Sequence, residues 1–177
     1  REALETAVLC SGATLHVNDD GATAEAVGDP LEIALLVAGE KAGLSRAELL
    51  DRYPEVREVA FDSESKLMAT FNQSDDAFRV MVKGAPEPVL HACTSLRTAD
   101  GVGEMDDDTR EQWCQRNAEM AHDGLRVLAL ATKAVDDVES EPYSDLTFVG
   151  LIGLIDPPRA DVTDAIDACR RAGIRIV

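Results

Sequence analysis

Phe78-Arg-Val-Met-Val-Lys-Gly-Ala-Pro-Glu87 is an alternating apolar run that stops at a lysine, a glycine and a proline. Period-two alternation marks a β-strand, and a proline suited to a first helical position marks a helix start directly after it. A strand ending this way exposes backbone N–H groups beside a fixed positive charge, which suits a polyphosphate or a nucleotide. A purely structural reading competes with it: Gly84-Ala-Pro turns a strand into a helix over Glu87 to Cys93.

Upstream, the same periodicity runs back to Val56. Val59 and Phe61 precede a turn at Asp62-Ser-Glu-Ser65, Lys66 to Phe71 forms the next strand, and Asn72 to Asp76 the next turn. The spacing predicts an antiparallel meander. Alternation puts Leu67, Ala69 and Phe71 on one face and Lys66, Met68 and Thr70 on the other; Phe78, Val80 and Val82 likewise oppose Arg79, Met81 and Lys83. With the apolar sets in the core, Lys66, Met68, Met81 and Lys83 are expected to line one opposite surface.

Further out, Glu2 to Cys10 has helical spacing and Ala13 to Val17 reads as a strand entering a turn at Asn18-Asp-Asp-Gly21. Asp29, Pro30 and Glu32 form a helix start, with a capping aspartate, a proline at the first position and an acid where a capping box places one. Ser45 to Tyr53 is a second short helix. Downstream, Asp106-Asp-Asp-Thr109 opens a helix to about Asp123 with Trp113, Cys114, Met120 and Ala121 on one stripe, its aspartates matching the positive helix end. Gly124-Leu-Arg-Val-Leu-Ala-Leu-Ala131 is a strand with Arg126 at its start, Glu139 to Asp145 a polar loop, and Leu146 to Ile155 another strand. Asp156-Pro-Pro-Arg159 breaks it before a helix carrying Val162, Ala165, Ile166 and Cys169, which Gly173 ends before a strand from Ile174 to Val177. The expected fold class is therefore α/β (α+β), an antiparallel sheet flanked by helices with a short C-terminal βαβ piece, divided into residues 1–155 and 156–177. The non-methionine start and the apolar run reaching Val177 suggest a piece of a longer polypeptide.

The 177 residues suffice for one good core, or a domain and part of a second, and 45 % are apolar. Lys and Arg number 17 against 34 Asp and Glu, a net charge of −17, which opposes nucleic acid and anionic lipid as partners. A nucleotide would need a local basic pocket, and magnesium would soften the repulsion. Cys10, Cys93, Cys114 and Cys169 are widely spaced, so neither a zinc site nor a disulfide framework is suggested, and buried reduced thiols are expected. His16, His91 and His122 fall on different elements. No run approaches the roughly 20 apolar residues that span a bilayer, and a soluble, monomeric piece is expected.

Gly28-Asp-Pro-Leu-Glu-Ile-Ala-Leu35, Phe61-x-Ser-x-x-Lys-x-Met68, Lys83-Gly-Ala-Pro-Glu87, Gly124-Leu-Arg-Val-Leu-Ala-Leu-Ala131 and Asp156-Pro-Pro-Arg159 stand in this order along the chain. Together they resemble the nucleotide-binding domain of P-type cation-transporting ATPases, type II branch, over essentially the whole sequence. The resemblance implies that Mg-ATP binds here and that its γ-phosphate is delivered to an aspartate of a neighbouring phosphorylation domain. It implies partner phosphorylation, actuator and transmembrane domains in the same full-length chain, and a cytoplasmic domain of an integral membrane protein that couples ATP hydrolysis to cation transport. By the same resemblance Phe61 stacks on adenine and Glu32 lies near its amino group. Lys66 and Lys83 face the phosphates or the purine edge, Gly84 and Ala85 permit close backbone approach, Met68 lines the base pocket, Arg126 reaches a phosphate, and Leu128 lies beneath the base.

Each residue also has an ordinary structural reading: Phe61 as core, Glu32 as a capping-box acid, Lys66 as a solvated strand lysine, Arg126 as an ion-pair partner. Leu31 replaces the threonine usual in the first motif, and Ser65 and Ala69 stand where many calcium pumps carry arginine and serine. The phosphorylated-aspartate motif Asp-Lys-Thr-Gly-Thr and the later Thr-Gly-Asp are absent, so this stretch alone is expected to be non-catalytic. A stand-alone nucleotide sensor, or an acidic interaction module using Asp19, Asp20 and Asp106 to Asp108, is the alternative.

Overall fold

The computed structural model describes residues 1–18, 23–156 and 161–176. Helix α1 (Glu2–Leu9) leads into a two-stranded antiparallel hairpin, β1 (Thr14–Val17) with β2 (Thr23–Val27). Most of the turn expected between them, and Pro157 to Arg159 with Val177, lie outside the described residues. Helix α2 (Pro30–Lys41) starts as its sequence predicts: Asp29 is extended, its Oδ1 accepts the Leu31 N–H at 2.8 Å, and Pro30 needs no acceptor. A short helix α3 (Arg46–Arg52) follows.

The meander is present as β3 (Glu55–Asp62), β4 (Leu67–Ser74) and β5 (Ala77–Gly84), paired antiparallel. Its second turn is tighter than expected. Asn72 stays in the strand, buried, with its amide donating to the Tyr53 carbonyl at 3.0 Å, and Asp75 makes the turn with φ of 53°. Helix α4 (Pro86–Ala92) passes directly into β6 (Cys93–Thr98), which pairs with β7 (Gly101–Glu104); this hairpin has no counterpart in the sequence reading. Asp106 caps α5 (Asp107–His122), accepting the Thr109 N–H at 2.7 Å. Strands β8 (Arg126–Val135) and β9 (Leu146–Leu154) and helix α6 (Val162–Arg171) complete the described elements.

Seven strands form one sheet in the order β3-β4-β5-β8-β9-β6-β7. The expectation of an antiparallel sheet is corrected at one place: β6 runs parallel to β9, so the sheet is mixed. A parallel pair needs a long crossover, and here β7, α5 and β8 supply it. The expected strand from Ile174 is also corrected. Residues 174–176 carry no strand and are exposed, with no described strand beside them to take their backbone hydrogen bonds.

Side-chain parity explains the layers. Leu67, Ala69, Phe71, Val80 and Val82 form one core with Val89 and Leu90 of α4, Ala129, Ala131 and Phe148, against which Trp113 and Cys114 of α5 pack. Ala121, expected on that stripe, is exposed. The opposite face is covered as well: Met68 and Met81 are buried against Val8 and Leu9 of α1, Leu36 of α2 and Leu49 of α3. The surface expected to carry Lys66, Met68, Met81 and Lys83 is thus a second core for its methionines, because three helices lie over it. Polar members of that face find partners on α1, Thr70 Oγ1 donating to the Leu9 carbonyl at 3.3 Å and Arg79 pairing with Glu5 at 2.8 Å. Helices on both sides of a sheet make a three-layer α/β arrangement.

Candidate functional site

Where the start of α2, the ends of β3 and β5 and the start of β8 converge, they surround a cleft of about 310 Å³. Eight of the nine residues singled out in the sequence line it: Glu32, Phe61, Lys66, Lys83, Gly84, Ala85, Arg126 and Leu128. Met68 does not; it is 3 % exposed in the core beneath α1 to α3. Asp29 and Val127 also line the cleft. The sequence had shown the aspartate only as a cap, and the valine's alternation on β8 carries no mark of a site.

The floor is an ion pair. Lys83 Nζ lies 2.5 Å from Glu32 Oε1, with the two side chains 7 % and 14 % exposed, and donates also to the Cys10 carbonyl at 2.5 Å. Glu32 Oε2 accepts the N–H groups of Gly12 at 3.0 Å and Ala13 at 2.8 Å. The capping-box reading of Glu32 is therefore corrected: the acid reaches across to another segment instead of folding back on its own helix. Gly28, at φ of 129°, makes room for this segment, since a Cβ there would stand 2.7 Å from the Ala13 Cβ. An ammonium has three N–H donors and a carboxylate about four acceptor positions. The pair thus keeps one donor and one acceptor position beyond those it uses in the protein. Sequence reasoning did not find Cys10, Gly12 and Ala13, whose contributions are backbone groups.

The backbone donors expected at Lys83-Gly-Ala-Pro are largely committed. Ala85 N–H donates to the Lys66 carbonyl at 3.1 Å, and the first turn of α4 holds Pro86 and Pro88, which have no N–H. Side chains, not a helix terminus, supply positive charge here. Lys66 is exposed, in a left-handed conformation with φ of 59°, and Arg126 is exposed at the head of β8. Phe61 is 60 % exposed near the end of β3, which removes it from the core reading. Leu128, like Leu31 and Leu154, is partly buried and packs against the core cluster of Ala7, Leu35 and Leu130. The cleft therefore joins an aromatic face, an apolar wall and cations, a combination that can hold a flat ring carrying negative charge.

The family described as P-type ATPase, cytoplasmic domain N, matches residues 1–161. The chain belongs to this family. Among its relatives, a calcium-transporting ATPase of Bacillus cereus is 36 % identical across 100 % of this chain and 20 % of its own length. A cation-transporting ATPase of Synechocystis sp. is 38 % identical across 99 % of this chain and 19 % of its own. A sodium/potassium-transporting ATPase alpha-4 subunit of Homo sapiens is 32 % identical across 96 % and 18 %. The chain spans about one fifth of the length of these curated relatives.

In this N domain a second cleft, of about 510 Å³, adjoins the first. The two share Asp29, Leu31 and Arg126, and the second continues past Ala34 to Leu154, Ile155 and Asp156. Burial pushes the Cys10 thiol, just under the ion pair, up to about 12, against the opposing pull of Lys83. Among the described residues, no group of three or more His, Cys, Asp or Glu side chains could hold a metal ion, and no helix is long and apolar enough to cross a membrane.

Proposed function

We propose that the N domain binds ATP in the cleft between Phe61 and Leu128, as the nucleotide-binding part of a P-type ATPase that couples ATP hydrolysis to cation transport. The observation that carries this reading is the convergence of four distant segments on one cleft with an exposed aromatic ring at its mouth. Phe61 stacks on the base, and Leu128 and Val127 exclude water from its other side. Glu32, held by Lys83, keeps an acceptor position for the exocyclic amino group, and Lys83 keeps one N–H for the base or a phosphate. Lys66 and Arg126 meet the phosphates, the latter with a fork of donors. Magnesium arrives with the nucleotide and offsets the acidic surround. The shared wall of the second cleft leads from Arg126 towards Asp156, the direction in which a polyphosphate would run.

Residues 1–155 are proposed as the nucleotide-binding domain and 156–177 as the hinge and start of a phosphorylation domain. Two observations favour this division: β9 ends at Leu154, and the family match stops at residue 161 while relatives align across the whole chain. The γ-phosphate acceptor then lies in that second domain. The actuator and transmembrane domains would complete the full-length chain, with this part on the cytoplasmic side.

Calorimetric titration with Mg-ATP tests the reading. The unaltered chain should bind saturably, and Phe61→Ala should bind about 5- to 140-fold more weakly, the worth of one base stacked on an aromatic ring. Equal affinity in both, or no binding at millimolar nucleotide, would refute it.

A further inference from the structure

Gly84 closes β5 with a backbone conformation outside the left-handed region, so conformational freedom does not explain the glycine. Space does. A Cβ at this position would stand 2.3 Å from the Lys66 carbonyl oxygen, 2.7 Å from Leu67 Cδ2 and 3.2 Å from Leu67 Cα, well inside normal contact. The carbonyl that fills this space is held there, because Ala85 N–H donates to it at 3.1 Å. Lys66 is pinned from its other side too. Its own N–H donates to the Asp62 carbonyl at 2.8 Å, and Ser65 N–H donates to the Asp62 carboxylate at 2.8 Å. Between these anchors Lys66 sits at φ of 59°, a conformation that a residue with a side chain keeps only where its surroundings impose it.

From this geometry we infer that Gly84 and the Ala85 amide are positioning groups for Lys66: together they form a latch that holds its backbone left-handed and its side chain at the cleft. The inference rests on the nucleotide reading above and changes what the glycine does within it. Gly84 acts through Lys66, because the room it leaves is already occupied by protein backbone. The contact carries the β4–β5 pairing one step beyond the Leu67–Gly84 pair, so residues 62–66 move with residues 83–85.

A double-mutant cycle on ATP affinity tests this, with thermal unfolding as a control for folding. Lys66→Ala keeps the latched carbonyl and removes the ammonium, and should weaken ATP binding about tenfold, the scale of one charged hydrogen bond. Gly84→Ala should weaken it to a similar degree, yet change affinity by less than about twofold when added to Lys66→Ala, because the displaced ammonium is already gone. Ala85→Pro gives the same comparison from the amide side: it removes the N–H and sets Cδ against the Lys66 carbonyl that the N–H holds at 3.1 Å, so the carbonyl must move. Ala85 has φ of −61°, the proline value, so the substitution removes the N–H and keeps the backbone angle. It carries the test alone if Gly84→Ala does not fold. Wild-type affinity in Ala85→Pro, or a loss of equal size with and without the Lys66 ammonium, would overturn the latch and leave the nucleotide reading intact. Absence of ATP binding by the unaltered chain would instead remove the nucleotide reading itself.

Discussion

Lys83 and Glu32 meet 2.5 Å apart at the floor of the cleft, and each also holds backbone of the segment joining α1 to β1, the lysine at Cys10 and the glutamate at Gly12 and Ala13. One pair therefore fastens a strand, a helix and a loop together directly beneath the proposed nucleotide. Removing either member leaves the other largely buried and uncompensated. Lys83→Ala should lower unfolding stability in urea by about 3 kcal/mol or more, with or without nucleotide. Lys83→Met combined with Glu32→Gln, which leaves no buried charge, should recover at least half of that loss. A Lys83→Ala protein as stable as the parent would mean that the pair does not hold the floor together.

Arg126 should behave differently. It is exposed and makes no ion pair among the described residues, so Arg126→Ala should change stability by no more than about 0.5 kcal/mol. Binding should nevertheless weaken, and selectively: about tenfold or more for ATP, with little change for adenosine, which lacks the phosphates. Equal losses for both ligands would place Arg126 at the base instead.

Acid stability should report the turn that presents Lys66. The Asp62 carboxyl is held below its usual value, first by the Ser65 N–H, then by the Ser65 hydroxyl and the Glu64 N–H. A carboxyl with a depressed folded value contributes stability that is fully present above its unfolded value of 3.8 and is lost as pH falls through the lower folded value. Asp106, held down by Thr109 at the start of α5, acts with the same sign. Asp62→Asn should therefore be less stable than the parent near neutrality and flatter in its acid denaturation profile below pH 3.8. Parallel acid profiles would rule out this linkage.

The thiols divide into two classes. Burial pushes Cys10 and Cys93 up to about 12, Cys93 against the opposing influence of Arg110, while Cys114 and Cys169 are only partly covered, Cys114 being raised as well, by its partial burial and then by Glu111 and Glu87. At pH 8 iodoacetamide should modify Cys114 and Cys169 in the native protein and reach Cys10 and Cys93 only after unfolding, as peptide mapping by mass spectrometry would show. For the buried pair the raised value contributes stability that is complete below 9.0 and declines as pH rises towards about 12.

Much of this arrangement is legible in the sequence. The β3 to β5 meander announced itself by strict alternation, and α2 by Asp29 and Pro30, because both signals are local. The β6–β7 hairpin was not legible: Cys93 to Thr98 is largely polar, and it becomes a strand only by joining the edge of β9 some fifty residues later. Met68 was misplaced for a related reason. Parity put it correctly opposite Leu67 and Ala69, but only the packing of α1, α2 and α3 turns that face into a second core. Gly84 reads in the sequence as space for a ligand, and the pairing of β4 with β5 fills that space with the Lys66 carbonyl. Phe61, Lys83 and Arg126, which line the cleft, stand out in the sequence only through the joint pattern of their motifs, since none of them is distinctive alone.

The central claim, that ATP occupies the cleft between Phe61 and Leu128, is tested most directly by following backbone amide shifts of the isotope-labelled chain during titration with ATP, with and without magnesium. The account predicts saturable shifts concentrated at Phe61, Lys66, Gly84 and Arg126, greatly reduced in Phe61→Ala. A well-folded sample whose amides do not move at millimolar ATP, or whose shifts gather instead along α5 on the far side of the sheet, would contradict it.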